Sequence, residues 1–208
     1  MPLGIALGEF QARVAQCDSL IANAHKVDAT GVPLFPPLDR QQITVAAFLN
    51  FFVAWEGFVE DALTKVMSGN PTILGKHPAA RFVAPATQEA AKAMVIGIQK
   101  YFDYANNDNV RRVVMMYFAG GYPFEPHLSS IASDLADLRT MRNASAHTSS
   151  TTQKALEALA QRIFSTPKQG INLYSLLTST DPRSATGATV FAEARDKLLA
   201  AAALIANG

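Results

Sequence analysis

Charge is what this sequence has least of. Only 17% of its 208 residues are Asp, Glu, Lys or Arg, against about 25% in an ordinary soluble protein. The 18 basic and 17 acidic side chains leave a net charge of +1. That balance removes any whole-protein electrostatic argument for coating nucleic acid. A single cysteine, Cys17, excludes an intrachain disulfide and any zinc site built on paired cysteines. No uninterrupted apolar run approaches the ~18 residues of a membrane span. Met1 to Ile5 carries no basic leader of secretory type, so the expectation is a cytoplasmic chain with no membrane partner. Strand-like alternation is scarce, and neither a repeat nor a low-complexity linker appears.

What is present is alanine and apolar spacing of three and four, the signature of packed helices. The pattern predicts one all-α domain over residues 1–208. A first helix over 8–28 carries the stripe Phe10, Val14, Cys17, Ile21 and Ala24, with the Cys17 thiol buried as a small hydrophobe. Val32 to Pro37 reads as an extended connector, and Asp39 as the cap of a second helix over about 40–68. That helix is apolar nearly all round through Phe48, Phe51, Phe52, Trp55, Phe58 and Leu63, as a central helix must be. Pro71 to Pro85 reads as an irregular crossover. Thr87 caps a third helix with Ala91, Met94, Val95, Ile98 and Phe102 inward, and Asn106-Asn107-Asp108 breaks and recaps the chain before Val110 and Val114. Pro126 opens a helix running towards Asn143, and Ser149, Ser150 or Thr151 caps the next, which faces Leu156, Ala160 and Ile163 inward. Residues 165–187 are broken by Pro167, Gly170, Pro182 and Gly187. A last helix spans 188–206.

One position stands out. The stripe Leu128, Ile131, Leu135, Leu138 reaches Arg142 in register, and an arginine on a core stripe is costly unless it is paired or opens onto a cleft. Asn143 and His147 follow, separated by small residues. In an unbroken helix Arg142 and His147 point roughly 140° apart, so either the helix loosens near Ser145 or another surface completes the site. The chemistry available is clear. Arginine recognises phosphate with a planar, permanent cation, and histidine exchanges protons near neutral pH. Two such pairs facing one another in a dimer suffice to cleave RNA through its 2′-hydroxyl. Chance spacing, with the two residues serving only a helix end, is the bland alternative.

Other residues are weighed the same way. Glu56, beside Trp55 and among Phe52, Val53 and Val59, is expected half-buried and able to orient Arg142, or else is an ordinary glutamate. Glu60 is expected to be solvated. Arg139 is either a phosphate contact or a surface arginine near Asp137. Arg111-Arg112, with Lys100 and Tyr101, form the one short basic cluster, read as a solvated face before an RNA track. His25, His77 and His127 have no ligand-like spacing, so neither a metal site nor a cofactor is expected.

The Arg142-Asn143-x-x-x-His147 pattern, late on an amphipathic helix with Leu135, Leu138 and small Ala144 and Ala146 around it, resembles the HEPN superfamily (higher eukaryotes and prokaryotes nucleotide-binding). Trp55-Glu56-Gly57-Phe58-Val59-Glu60 is similar to the aromatic, acid-bearing helix of several prokaryotic groups. Among these the chain looks closest to stand-alone RiboL-PSP-type proteins. The resemblance covers residues 40–165. It implies a HEPN-like helical bundle with added N- and C-terminal helices, a homodimer, and metal-independent endoribonuclease activity on RNA. In that scheme Arg142, His147 and Asn143 are catalytic, and Arg139 and Glu56 assist substrate binding. Such proteins serve as toxins or phage-defence effectors, so an antitoxin or defence partner is implied. The rival readings are a non-catalytic helical interaction module and a nucleotide-binding protein without cleavage.

Overall fold

The computed structural model describes residues 2–146 and 149–208. Among the described residues there are nine α-helices, one 3-10 turn and three isolated bridges, with no sheet; the all-α expectation holds. The helices are α1 (Pro2–Ala24), α2 (Pro37–Met67), α3 (Gln88–Ile96), α4 (Asn107–Tyr117), α5 (Glu125–Ser130), α6 (Ala132–Ala146), α7 (Ser150–Phe164), α8 (Leu173–Thr178) and α9 (Val190–Asn207). The 3-10 turn, Ala119–Gly121, links α4 to α5.

Helix ends follow side-chain chemistry where a cap exists. Thr87 accepts from Ala90 N, Asn106 from Asn109 N, and Asn172 from Ser175 N, each satisfying an otherwise orphaned donor. α1 starts and stops earlier than the periodicity predicts. Its apolar stripe would continue past Ala24, but residues 26–34 fold back as a tight turn. There the Asp28 carboxylate accepts from Thr30 N, Thr30 Oγ1 and Val32 N at 2.8, 2.7 and 2.9 Å. Those bonds hold its carboxyl below the usual aspartate range. α2 starts at Pro37, so Asp39 lies in the first turn and is not the cap; proline is tolerated there because its missing N–H has no partner to lose.

The chain divides into two compact units, and α1, α2, α6 and α9 each contribute residues to both. One unit comprises Met1–Gln11, Trp55–Ala136 and Lys197–Gly208. Its core sets Phe10 against Trp55 and Phe58, with ring centroids 6.0 and 5.5 Å apart. Ile73 N donates to Ala206 O at 2.8 Å, and Lys197 pairs with Asp134 at 2.7 Å. The other unit comprises Ala12–Ala54 and Asp137–Asp196. There Phe191 meets Phe48 and Phe51 edge-on at 6.4 and 5.4 Å, and His25 stacks on Tyr174. Cys17 is buried, as the stripe predicts, and burial pushes its thiol pKa up. The apolar patch at Leu173 and Leu176 is helical, forming α8. Its six residues are too few to show a helical period among the flanking glycines and prolines.

α2 is long and apolar enough on mean hydropathy to cross a membrane, which counting uninterrupted apolar runs misses. Half of that stretch is buried within the fold, as in a core helix.

Candidate active site

The helix expected from Pro126 to Asn143 is two helices. Ile131, with φ −112° and ψ 18°, closes α5, and α6 starts afresh at Ala132. Leu135 and Leu138 are buried as the stripe predicts, and Met141 and Asp137 are buried with them, while Ile131 and Arg142 are half-buried. Met141, three residues after Leu138, takes the core place that a spacing of four gives to Arg142. The guanidinium sits at the edge of the stripe, where it avoids the full cost of desolvation.

α6 remains helical through Ala146, so it does not loosen at Ser145. Ser145 Oγ donates to Arg142 O at 2.6 Å, and Arg142 Nη1 donates to Asn143 Oδ1 at 3.4 Å. The second contact is long for a hydrogen bond. Arg142 has no carboxylate partner among the described residues. His147, the remaining member of the motif, lies outside the described residues. Past it, Ser149 and Thr152 form a reciprocal capping box at the start of α7.

Arg139 is half-buried one turn before Asn143 on the same helix. Its neighbour Asp137 is buried and bound by Arg162 of α7, with Nη1 donating to Oδ2 at 3.1 Å and Nη2 to Oδ1. This pair ties α6 to α7 on either side of the connector that carries His147 in sequence. Sequence reasoning missed it, although a signal was present: an aspartate directly before Leu138 of the core stripe needs a cation.

Glu56 is half-buried on α2, with its Oε1 shielded from solvent. Trp55, Phe52 and Val59 beside it are buried, but Val53 is exposed, because it lies on the one open stripe of α2. Glu56 belongs to the unit containing Trp55–Ala136, and Arg142 to the other. Glu60, expected in solvent, is half-buried and pairs with Lys92 of α3 at 2.7 Å. That carboxylate is the main cause of the raised Lys92 pKa.

No protein-family model matches the chain, and no curated protein or solved structure matches it. Among the described residues no three His, Cys, Asp or Glu side chains gather as a metal site would require.

The basic cluster on α4 is split by its contacts. Arg111 Nε donates to Glu125 Oε2 at 3.0 Å and Nη2 to Oε1 at 2.5 Å, a bidentate pair that raises the arginine pKa. An open groove of about 560 Å³ runs beside it, lined by Asp108, Arg111, Arg112, Met115 and Glu125. Two carboxylates balance two guanidinium groups, so it offers a phosphate backbone no net attraction. Arg142 has a neutral carboxamide at its side, an arrangement that leaves the cation available to an anion.

Proposed function

We propose that this chain is a HEPN-type, metal-independent endoribonuclease, folded as a HEPN-like helical bundle and acting as a cytoplasmic homodimer in a toxin or phage-defence role. The supporting observation is Arg142. It is a half-buried cation at the edge of the α6 core stripe, with Asn143 in contact and no carboxylate neutralising it among the described residues.

In the reaction, the imidazole of His147 takes the proton of a ribose 2′-hydroxyl, and the freed oxygen attacks the adjacent phosphorus. Arg142 binds the non-bridging oxygens as charge builds on them. The bond from phosphorus to the 5′-oxygen breaks, and that oxygen receives a proton from the protonated imidazole of the facing copy. The products are a 2′,3′-cyclic phosphate and a 5′-hydroxyl. Asn143 orients the guanidinium, and Arg139 supports substrate binding.

The test is cleavage of a mixed RNA substrate in EDTA by wild type, Arg142→Ala and His147→Ala. Both variants are expected to lose about 100-fold or more. Equal cleavage by all three sinks the assignment.

A further inference from the structure

The core face of α2 ends on an arginine. Ala47, Phe48 and Phe51 are buried, the two rings against Phe191 of α9. Counted back at helical spacing, the same face carries Thr44, 1% exposed, and one turn earlier Arg40, half-buried. Each keeps a buried polar atom that makes no hydrogen bond, Nε of Arg40 and Oγ1 of Thr44. Such atoms are exceptions in a folded chain. A donor cut off from water and left unmade is costly, more so on a charged group.

Neither orphan is forced by its local structure. A threonine inside a helix can turn its hydroxyl onto the carbonyl four residues back. Thr64, also buried on α2, does so by donating to Glu60 O at 2.8 Å, and Thr178 donates to Tyr174 O at 2.9 Å. Thr44 leaves the carbonyl of Arg40 alone. Arg111, Arg162, Arg183 and Arg195 each meet a carboxylate. Arg40 Nε meets none, and the adjacent acid, Asp39, is exposed. Residues four apart share a helix face, and helical side chains lean towards the N-terminus. Thr44 Oγ1 therefore leans towards the turn that holds Arg40, and the partly exposed arginine leaves that turn open to solvent.

We infer that Arg40 and Thr44 form a binding site for a phosphate group, with Arg40 Nε–H and the Thr44 hydroxyl donating to two of its oxygens. Both orphans can donate, so the guest is an acceptor, and the permanent charge of the guanidinium selects an anion. A carboxylate has two oxygens in one plane, which a single guanidinium edge satisfies, leaving Thr44 idle. The tetrahedral oxygens of a phosphate reach a donor on each of two successive turns. Arg40 and Arg142 belong to the same compact unit, but the inference does not rest on the nuclease reading, because binding is measured without cleavage.

Thermal unfolding of the full chain tests it, in sodium phosphate, sodium acetate and sodium chloride at matched ionic strength and neutral pH. Phosphate is expected to raise the melting temperature above that in chloride or acetate, as a ligand of the folded state does. Arg40→Gln and Thr44→Val are each expected to raise the phosphate concentration for half-maximal stabilisation about tenfold. Thr44→Val keeps the shape and deletes a hydroxyl with no partner, so in chloride it should melt no lower than wild type. A Thr44→Val variant that is destabilised in chloride yet keeps its phosphate response makes the hydroxyl structural and overturns the inference. So do equal stabilisation by acetate, undiminished response in both variants, and no response beyond chloride, which assigns the two donors to an ordered water. A 2′-O-methyl RNA oligonucleotide, which lacks the hydroxyl that cleavage needs, separates the sources of the phosphate. RNA binding that weakens in the same variants assigns it to an RNA backbone. Unchanged or absent RNA binding, with the phosphate response lost in the variants, assigns it to a free phosphate or nucleotide.

Discussion

Arg111 on α4 and Arg142 on α6 are both half-buried arginines, yet their surroundings differ in kind. Arg111 is gripped by Glu125 through both carboxylate oxygens. The chain is built to keep that acid in place: at Gly121, with φ +66°, an added Cβ would come within 2.6 Å of Glu125 Cβ and 2.9 Å of Met115 Sδ. Only glycine permits that approach. Arg142 meets a carboxamide at 3.4 Å instead, and a neutral partner orients a guanidinium without cancelling its charge. In a chain with so few charges, one arginine joins elements together and the other is left able to receive an anion.

The largest expected effect separates the two directly. Arg142→Ala should lower RNA cleavage about 100-fold or more, whereas Arg111→Ala should leave the rate of the folded fraction within about threefold. Single-turnover cleavage in EDTA, corrected for folded fraction, reads both. The contrast breaks if Arg111→Ala proves as damaging as Arg142→Ala.

Stability should rank the residues in the opposite order. Asp137 is buried and receives two donors from Arg162, so Asp137→Asn should cost about 1–3 kcal/mol in urea unfolding. Arg142→Ala should change stability by no more than about 0.5 kcal/mol. A larger loss in Arg142→Ala than in Asp137→Asn would make Arg142 a structural residue. Glu125→Gln, which keeps the shape but removes the charge holding Arg111, should cost about 1 kcal/mol. If that substitution is neutral, the pair is incidental.

Legibility in the sequence tracks how local the deciding interaction is. Thr87, Asn106 and Ser149 each act on a donor three residues away, so the sequence names Thr87 outright and narrows the other two caps to runs of three residues. The aromatic run of α2 fixes a core helix wherever its partners come from. Arg142 is half-buried because Met141 and Arg142, three and four residues past Leu138, both border the stripe and the apolar one fills it, a choice that spacing alone leaves open. Ile98, expected inward, is exposed because Gly97 ends α3 before the apolar period does. The Asp137–Arg162 pair joins residues 25 apart in sequence, and such contacts depend on how helices meet.

The smallest expected effect concerns pH and keeps folding apart from catalysis. His127 on α5 is half-buried, and burial lowers its pKa below the ordinary histidine value. The unfolded chain therefore takes up a proton at His127 at higher pH than the folded chain does. Stability contributed by the neutral imidazole is complete above the unfolded value of about 6.5 and declines as pH falls from there towards the lower folded value. His127→Gln should flatten this part of the stability profile while leaving the pH dependence of the cleavage rate in place, because the proposed reaction gives the proton transfers to His147. Paired measurements of unfolding free energy and single-turnover cleavage across the same pH range check both statements. If His127→Gln shifts the cleavage profile and leaves the stability profile unchanged, the roles assigned to the two histidines are reversed.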